Sequence, residues 1–102
     1  MSQINLPKDQ MEIVKRILRK ELVDTEVWIF GSRLTHSYHD GSDLDLVLRN
    51  KQDLNRITKT LGRVRQAFID SDLPIEVDVL DWARLPDTFK KIILENYIVL
   101  AL

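Results

Sequence analysis

The sequence has no cysteine among its 102 residues, and only three glycines and three prolines. The lack of cysteine excludes a disulfide-stapled fold, a cysteine-ligated zinc site and a thiol nucleophile, and it fits a reducing compartment. Neither sign of charge dominates, since 15 basic residues stand against 16 acidic ones and the net charge is −1. A generic nucleic-acid-binding protein would carry a basic excess. Direct binding to nucleic acid is therefore not expected.

Long hydrophobic stretches are also missing. No apolar run approaches the roughly 20 residues that span a bilayer, and the polar N-terminal residues lack the hydrophobic region of a signal peptide. The length fits a single domain over residues 1–102, and a hydrophobic content of 44% can supply a self-sufficient core. We therefore expect one compact cytoplasmic domain.

Hydrophobic periodicity predicts alternating helices and strands. Apolar residues at helical spacing predict helices over residues 7–22, 54–68 and 86–97, with a further short helix at 34–38. Runs rich in β-branched or alternating apolar residues predict strands over residues 25–30, 43–49 and 75–80. The order α-β-(α)-β-α-β-α indicates an α/β (α+β) fold, in which helices flank a small three-stranded sheet. The second strand follows the first too closely for a parallel crossover, so we expect a mixed sheet.

Two carboxylates stand out on the second predicted strand. Asp43 and Asp45 are two positions apart and therefore point to the same face, while the leucines between and after them point into the core. Like charges side by side repel one another, and a cation between them relieves that repulsion. Asp78 lies on the polar face of the third predicted strand and can face the pair if the strands are neighbours. Three converging carboxylates can bind two Mg²⁺ ions about 3.5–4 Å apart, as in nucleotidyl transfer.

A turn suited to phosphate binding precedes these acids. Gly31 ends the first predicted strand, and its missing Cβ lets the backbone approach a ligand closely. Ser32 offers a hydroxyl, and the amides at the start of a following helix would favour an anion. The two features together suit a metal-bound nucleoside triphosphate.

These residues carry a resemblance to a known family. Residues 31–33 (Gly-Ser-Arg) and 42–46 (Ser-Asp-Leu-Asp-Leu) resemble the GS…DxD signature of the DNA polymerase β-like nucleotidyltransferase superfamily, and Asp78 takes the position of its third carboxylate. The likeness covers essentially the whole chain. It is greatest to the minimal nucleotidyltransferases that pair with HEPN-domain proteins in prokaryotic toxin–antitoxin modules.

The resemblance implies a role for each of these residues. Gly31 and Ser32 would hold the β- and γ-phosphates of ATP. Asp43 and Asp45 would bind two Mg²⁺ ions, and Asp78 would complete the second metal site and help to deprotonate the attacking hydroxyl. The implied activity is AMP transfer from ATP to a tyrosine hydroxyl of a HEPN-domain toxin. The chain would thus act as an antitoxin within a hetero-oligomer. Because a minimal catalytic unit must obtain its acceptor site from another chain, we expect the partner to dock partly through the apolar residues 97–102.

An alternative function of another class stays open. The family usually has a glycine a few residues after the Gly-Ser pair, where this chain has Leu34, Thr35 and His36. A chain that keeps the nucleotidyltransferase fold without catalysis would neutralise its partner by occlusion alone. The intact set of three aspartates disfavours that alternative.

Several residues near the motif have two possible roles. Arg33 is either a contact to the triphosphate or a surface arginine. His36 and His39 could act as a metal-binding or general-base pair, but their position in a polar loop favours solvent exposure. Tyr38 either stacks on adenine or fills the loop, and Trp28 and Trp82 are expected to pack in the core or an interface.

Overall fold

The structure is a computed structural model that describes residues 4–102. Its helices and strands follow the chain in the order α1 (Lys8–Glu21), β1 (Thr25–Phe30), β2 (Leu44–Asn50), α2 (Leu61–Ile69), β3 (Val77–Asp81), α3 (Asp87–Glu95) and β4 (Tyr97–Val99). Two short 3₁₀ turns, Ser32–Leu34 and Trp82–Arg84, follow β1 and β3. The α+β architecture predicted from the sequence is confirmed.

The sheet is mixed, as expected, but it has four strands rather than three. Its order is β3-β2-β1-β4, with β1 antiparallel to both of its neighbours and β2 parallel to β3. The fourth strand begins at Tyr97, although the helical spacing predicts that this residue belongs to the last helix. Helix α3 ends at Glu95, Asn96 adopts an extended conformation, and the β-branched Ile98 and Val99 pair with β1. Propensity for β structure therefore prevails over the helical spacing here.

The helices cover both faces of the sheet. On one face, α1 and α2 contribute Val14, Leu18, Val64 and Phe68 to a core that also buries Leu44, Leu46 and Leu48 of β2. On the other face, Ile93 of α3 packs with Trp28, Phe30, Val47 and Trp82. The buried positions of both tryptophans confirm their predicted packing role. Because side chains alternate along a strand, Asp45 must point to the α3 face when Leu44 and Leu46 point to α1 and α2.

The second helix begins later than its periodicity predicts. Residues 51–60 form turns, and Leu54 and Ile57 are exposed instead of buried. The side chains of Asn50 and Asp53 accept hydrogen bonds from the amides of Gln52, Asp53 and Asn55. These local bonds compete with the first helical turn, which is the usual effect of Asn and Asp outside helix caps.

Two smaller predicted boundaries are also corrected. The short helix predicted over residues 34–38 is replaced by the 3₁₀ turn at Ser32–Leu34. This turn follows Gly31 directly and so begins two residues before the predicted helix. The third strand begins at Val77 rather than residue 75. Within residues 4–102, no helix combines the length and the apolar character that crossing a membrane requires.

Candidate active site

The parallel pairing of β2 and β3 brings the predicted acids to one end of the sheet. Asp45 and Asp78 are partners in register, and neighbouring strands lie about 4.7–4.9 Å apart. Val79 is buried among the side chains beneath α1 and α2, so Asp78 points to the opposite face, as Asp45 does. Asp43 lies just before β2 and is exposed. The fold therefore gathers acids from two distant segments.

The glycine turn lies directly against these acids. Phe30, the last residue of β1, pairs with Asp45, and Gly31 follows with φ of +85°, a conformation that L side chains rarely adopt. A Cβ at Gly31 would collide with the carboxylate of Asp45. Backbone conformation and the neighbouring acid thus both require glycine at this position.

The electrostatics of Asp45 reflect its burial first and its acidic neighbours second. Desolvation by burial, followed by the negative charges of Asp78 and Asp43, raises the pKa of Asp45 from 3.8 to about 6. A carboxylate whose charge is disfavoured by other carboxylates is a natural ligand for a cation.

The acids suit a hard divalent ion in chemistry, since Mg²⁺ prefers oxygen ligands. Across the described residues 4–102, however, His, Asp and Glu side chains form no group of three already close enough to hold a metal ion. Asp43 and Asp78 are exposed, and without a cation their charges repel Asp45. Asp45 is the half-buried member of the set, and the other two are exposed at its sides.

Arg33 holds the loop between the glycine turn and β2. The residue is only 2% exposed, and its guanidinium donates hydrogen bonds to the carbonyl oxygens of Ser42, Asn5 and Asp40, at 2.8–3.2 Å. The surface alternative for Arg33 is therefore wrong. Contact with a phosphate stays a prediction, but the donors of Arg33 are largely committed to these carbonyls.

Asn5 fastens the same loop from the N-terminal side. The backbone amide of Asn5 donates to the carbonyl of Arg33 at 2.7 Å, and its side-chain Nδ2 donates to the carbonyl of Thr35 at 3.0 Å. Sequence reasoning missed this contact, because nothing in a polar residue before the first helix indicates a partner some thirty positions away.

An open depression beside the acids completes the site. It is lined by Ser32, Ser37, His39, Gly41, Ser42, Asp43 and Asp45. His36 and His39 are both exposed, as expected, but His39 also lines this depression. Tyr38 is 40% exposed and lies over the guanidinium of Arg33, 5.7 Å from the ring centroid.

Known proteins similar to this chain show its family. The family described as "Nucleotidyltransferase domain" matches residues 11–100. The chain belongs to this nucleotidyltransferase family. It is also similar to the probable protein adenylyltransferase MntA of Haemophilus influenzae, with 37% identity over 99 residues that cover 97% of this chain and 85% of the relative.

The resemblance to minimal nucleotidyltransferases of the MntA type is thus confirmed, and the chain is a nucleotidyltransferase enzyme. The matched region contains the glycine turn, the two acids at the start of β2 and the acid on β3.

Proposed function

We propose that this nucleotidyltransferase transfers AMP from ATP to a hydroxyl group of a partner protein, with residues 1–102 acting as one domain. The observation that carries the proposal is the position of Asp45. This residue lies against Gly31, is in register with Asp78 on the neighbouring strand, and is repelled by the negative charge of Asp43. A glycine turn that phosphates can approach closely and a carboxylate cluster that can bind cations thus lie side by side in the fold.

The proposed chemistry is an in-line displacement. The acceptor oxygen forms a bond to the α-phosphorus of ATP, the bond from that phosphorus to the β-phosphate oxygen breaks, and pyrophosphate leaves. Gly31 and Ser32 hold the β- and γ-phosphates, with Arg33 as a further candidate contact. Asp78 takes up the proton of the attacking hydroxyl, a role open to an exposed carboxylate beside the reacting groups.

The metal ligands in this proposal are Asp43, Asp45 and Asp78. Two Mg²⁺ ions bound there would neutralise the triphosphate and favour ionisation of the acceptor hydroxyl. The raised pKa of Asp45 supports this assignment, because a bound cation would offset the repulsion from the other two acids.

The acceptor is proposed to be a tyrosine of a HEPN-domain toxin, which the transfer silences, so that this chain acts as an antitoxin. The relative from Haemophilus influenzae is named a probable protein adenylyltransferase, and the open depression leaves room for a macromolecular acceptor. Tyr97, Val99 and Leu102 are 37%, 50% and 45% exposed, which supports docking of the partner partly through residues 97–102. Because ATP is the substrate, we place the reaction in the cytoplasm.

Mass spectrometry of the partner tests the proposal. The protein encoded beside this gene, which we propose to be a HEPN-domain toxin, is incubated with the chain, ATP and Mg²⁺, and its mass is compared before and after. We expect an increment of one AMP or several with wild type, none with Asp43→Ala, and the wild-type increment with Glu76→Gln, an exposed acid that does not act on Asp45. Inhibition of the partner with no adduct would instead support the occlusion alternative, which the residues at 34–36 favour.

A further inference from the structure

The depression beside Asp43 and Asp45 contains one titratable side chain that the proposed chemistry does not use. His39 lines it together with Ser32, Asp43 and Asp45. The polar loop predicts solvent exposure for this histidine. Its exposure is confirmed, but its place beside the site suggests a further role.

The loop holds the imidazole of His39 in a defined way. The amide of Gly41 donates to Nδ1 of His39 at 3.2 Å. The backbone on both sides is also fixed, because the amide of His39 donates to Oγ of Ser42 and the amide of Ser42 donates to the carbonyl of His39, each at 2.9 Å. Since Nδ1 accepts a hydrogen bond, the neutral ring carries its proton on Nε2, which is free to donate.

The chemistry of the lining residues leaves a need for such a donor. They comprise three serines, a glycine, two aspartates and His39, and they include no lysine or arginine. Arg33, the cation next to this loop, already donates to three backbone carbonyls. A triphosphate held here gains few donors beyond hydroxyls and backbone amides, so an imidazole N–H would contribute substantially.

We infer that His39 is a nucleotide-binding residue whose Nε2–H donates to the β- or γ-phosphate, the part of ATP that leaves as pyrophosphate. This inference rests on the proposed function. A hydrogen bond to a charged group contributes about 1.5–3 kcal/mol, which corresponds to roughly tenfold or more in affinity. AMP lacks the β- and γ-phosphates, so its affinity does not depend on His39.

Two substitutions separate phosphate contact from loop support. In His39→Asn, the amide oxygen can still accept the Gly41 N–H, as Asn does in turns, but the distal donor is lost. In His39→Gln, the longer side chain restores a distal N–H and gives up the short acceptor. The matched control is His36→Asn, which alters an exposed histidine of the same loop that does not line the depression.

Calorimetric titration with ATP and with AMP, in the presence of Mg²⁺ and without a protein acceptor, provides the readout. We expect His39→Asn to weaken ATP binding about tenfold with AMP binding unchanged. His39→Gln should retain most of the ATP affinity, and His36→Asn should match wild type.

Wild-type ATP affinity in His39→Asn would overturn the inference and leave the proposed function standing. An equal loss of ATP and AMP affinity in both His39 variants would also overturn it, since it would reveal a purely structural role. Absence of ATP binding by the wild-type chain would overturn both proposals.

Discussion

At the end of β1, the Gly31 backbone and the Asp45 carboxylate lie so close that no side chain fits between them. The positive φ of Gly31 adds a second reason for glycine, because it is costly for any residue with a Cβ. The glycine next to a strand end was recognisable from the sequence. Its dependence on Asp45 was not, because that contact arises only when β1 and β2 pair.

We predict that Gly31→Ala destabilises the fold by about 1–3 kcal/mol and abolishes AMP transfer, since the new Cβ displaces the Asp45 carboxylate. Urea unfolding and the transfer assay measure the two effects. Gly62→Ala is the matched control, because a Cβ at Gly62 in α2 meets no atom within 4 Å. It should stabilise the chain by about 0.5–1 kcal/mol. Equal effects of the two substitutions would contradict this explanation of Gly31.

The raised pKa of Asp45 predicts a pH-dependent cost of folding. Folding favours the protonated carboxyl of Asp45. The contribution of this carboxyl to the free energy of unfolding is therefore fully present below about pH 4, and it is lost as the pH rises through about 6. After allowance for partial solvent exposure, Asp45→Asn should raise the free energy of unfolding by about 1 kcal/mol at pH near 8 without divalent metal. Near pH 4 the gain should vanish. Chemical unfolding at both pH values in a chelator checks this, and a gain that is equal at both would refute it.

At the scale of elements, one parallel strand pair builds the acid cluster. The strands β1 and β2 were predicted to within a residue because their apolar runs are short and bounded by turn residues. The sequence predicts that Asp78 faces Asp45 only if β2 and β3 are neighbours. It does not establish that pairing, because strand neighbours are set by long-range packing. The turns at residues 51–60 were missed because Leu54 and Ile57 continue the helical spacing of α2, although Asn50 and Asp53 hold that stretch in turns.

Asp81 at the end of β3 ties these turns to the sheet. Its buried carboxylate accepts hydrogen bonds from the Thr58 amide at 2.8 Å and the Ala83 amide at 3.4 Å, so it caps the 3₁₀ turn at Trp82–Arg84. We predict that Asp81→Ala costs about 1–3 kcal/mol, since it leaves the buried Thr58 amide without its acceptor. Thr58→Val removes only a long 3.4 Å hydroxyl contact and should cost less. Thermal unfolding compares them, and the reverse order would contradict the assignment.

At the scale of the whole molecule, a stack of aromatic and cationic side chains joins β4, β1, β2 and the second 3₁₀ turn. Tyr97 stacks on Trp28 with ring centroids 3.9 Å apart. The guanidinium of Arg49 lies 3.7 Å from the Trp28 ring centroid and 4.6 Å from that of Trp82. This stack explains how a strand of three residues is held at the sheet edge, and the sequence offered no sign of it because its members are far apart along the chain.

We predict that Arg49→Lys destabilises the chain by about 1–2 kcal/mol, because an ammonium group cannot stack as a planar guanidinium does. Arg63→Lys is the control, since Arg63 is exposed and forms a salt bridge with the carboxylate of Glu21 at 3.4 Å. That change should stay within about 0.5 kcal/mol. Denaturant titration followed by tryptophan fluorescence reports both values. An Arg49→Lys protein as stable as wild type would show that the stack contributes nothing.

The central claim is that acids from two distant segments act on one nucleotide. AMP transfer by Asp78→Asn, measured beside Glu76→Gln, tests it most directly, because both substitutions neutralise an acid near the start of β3 and only Asp78 is in register with Asp45. We predict that Asp78→Asn lowers the transfer rate at least about 100-fold, as expected for loss of a proton acceptor, while Glu76→Gln keeps the wild-type rate. Transfer by a folded Asp78→Asn protein at the wild-type rate would contradict the account.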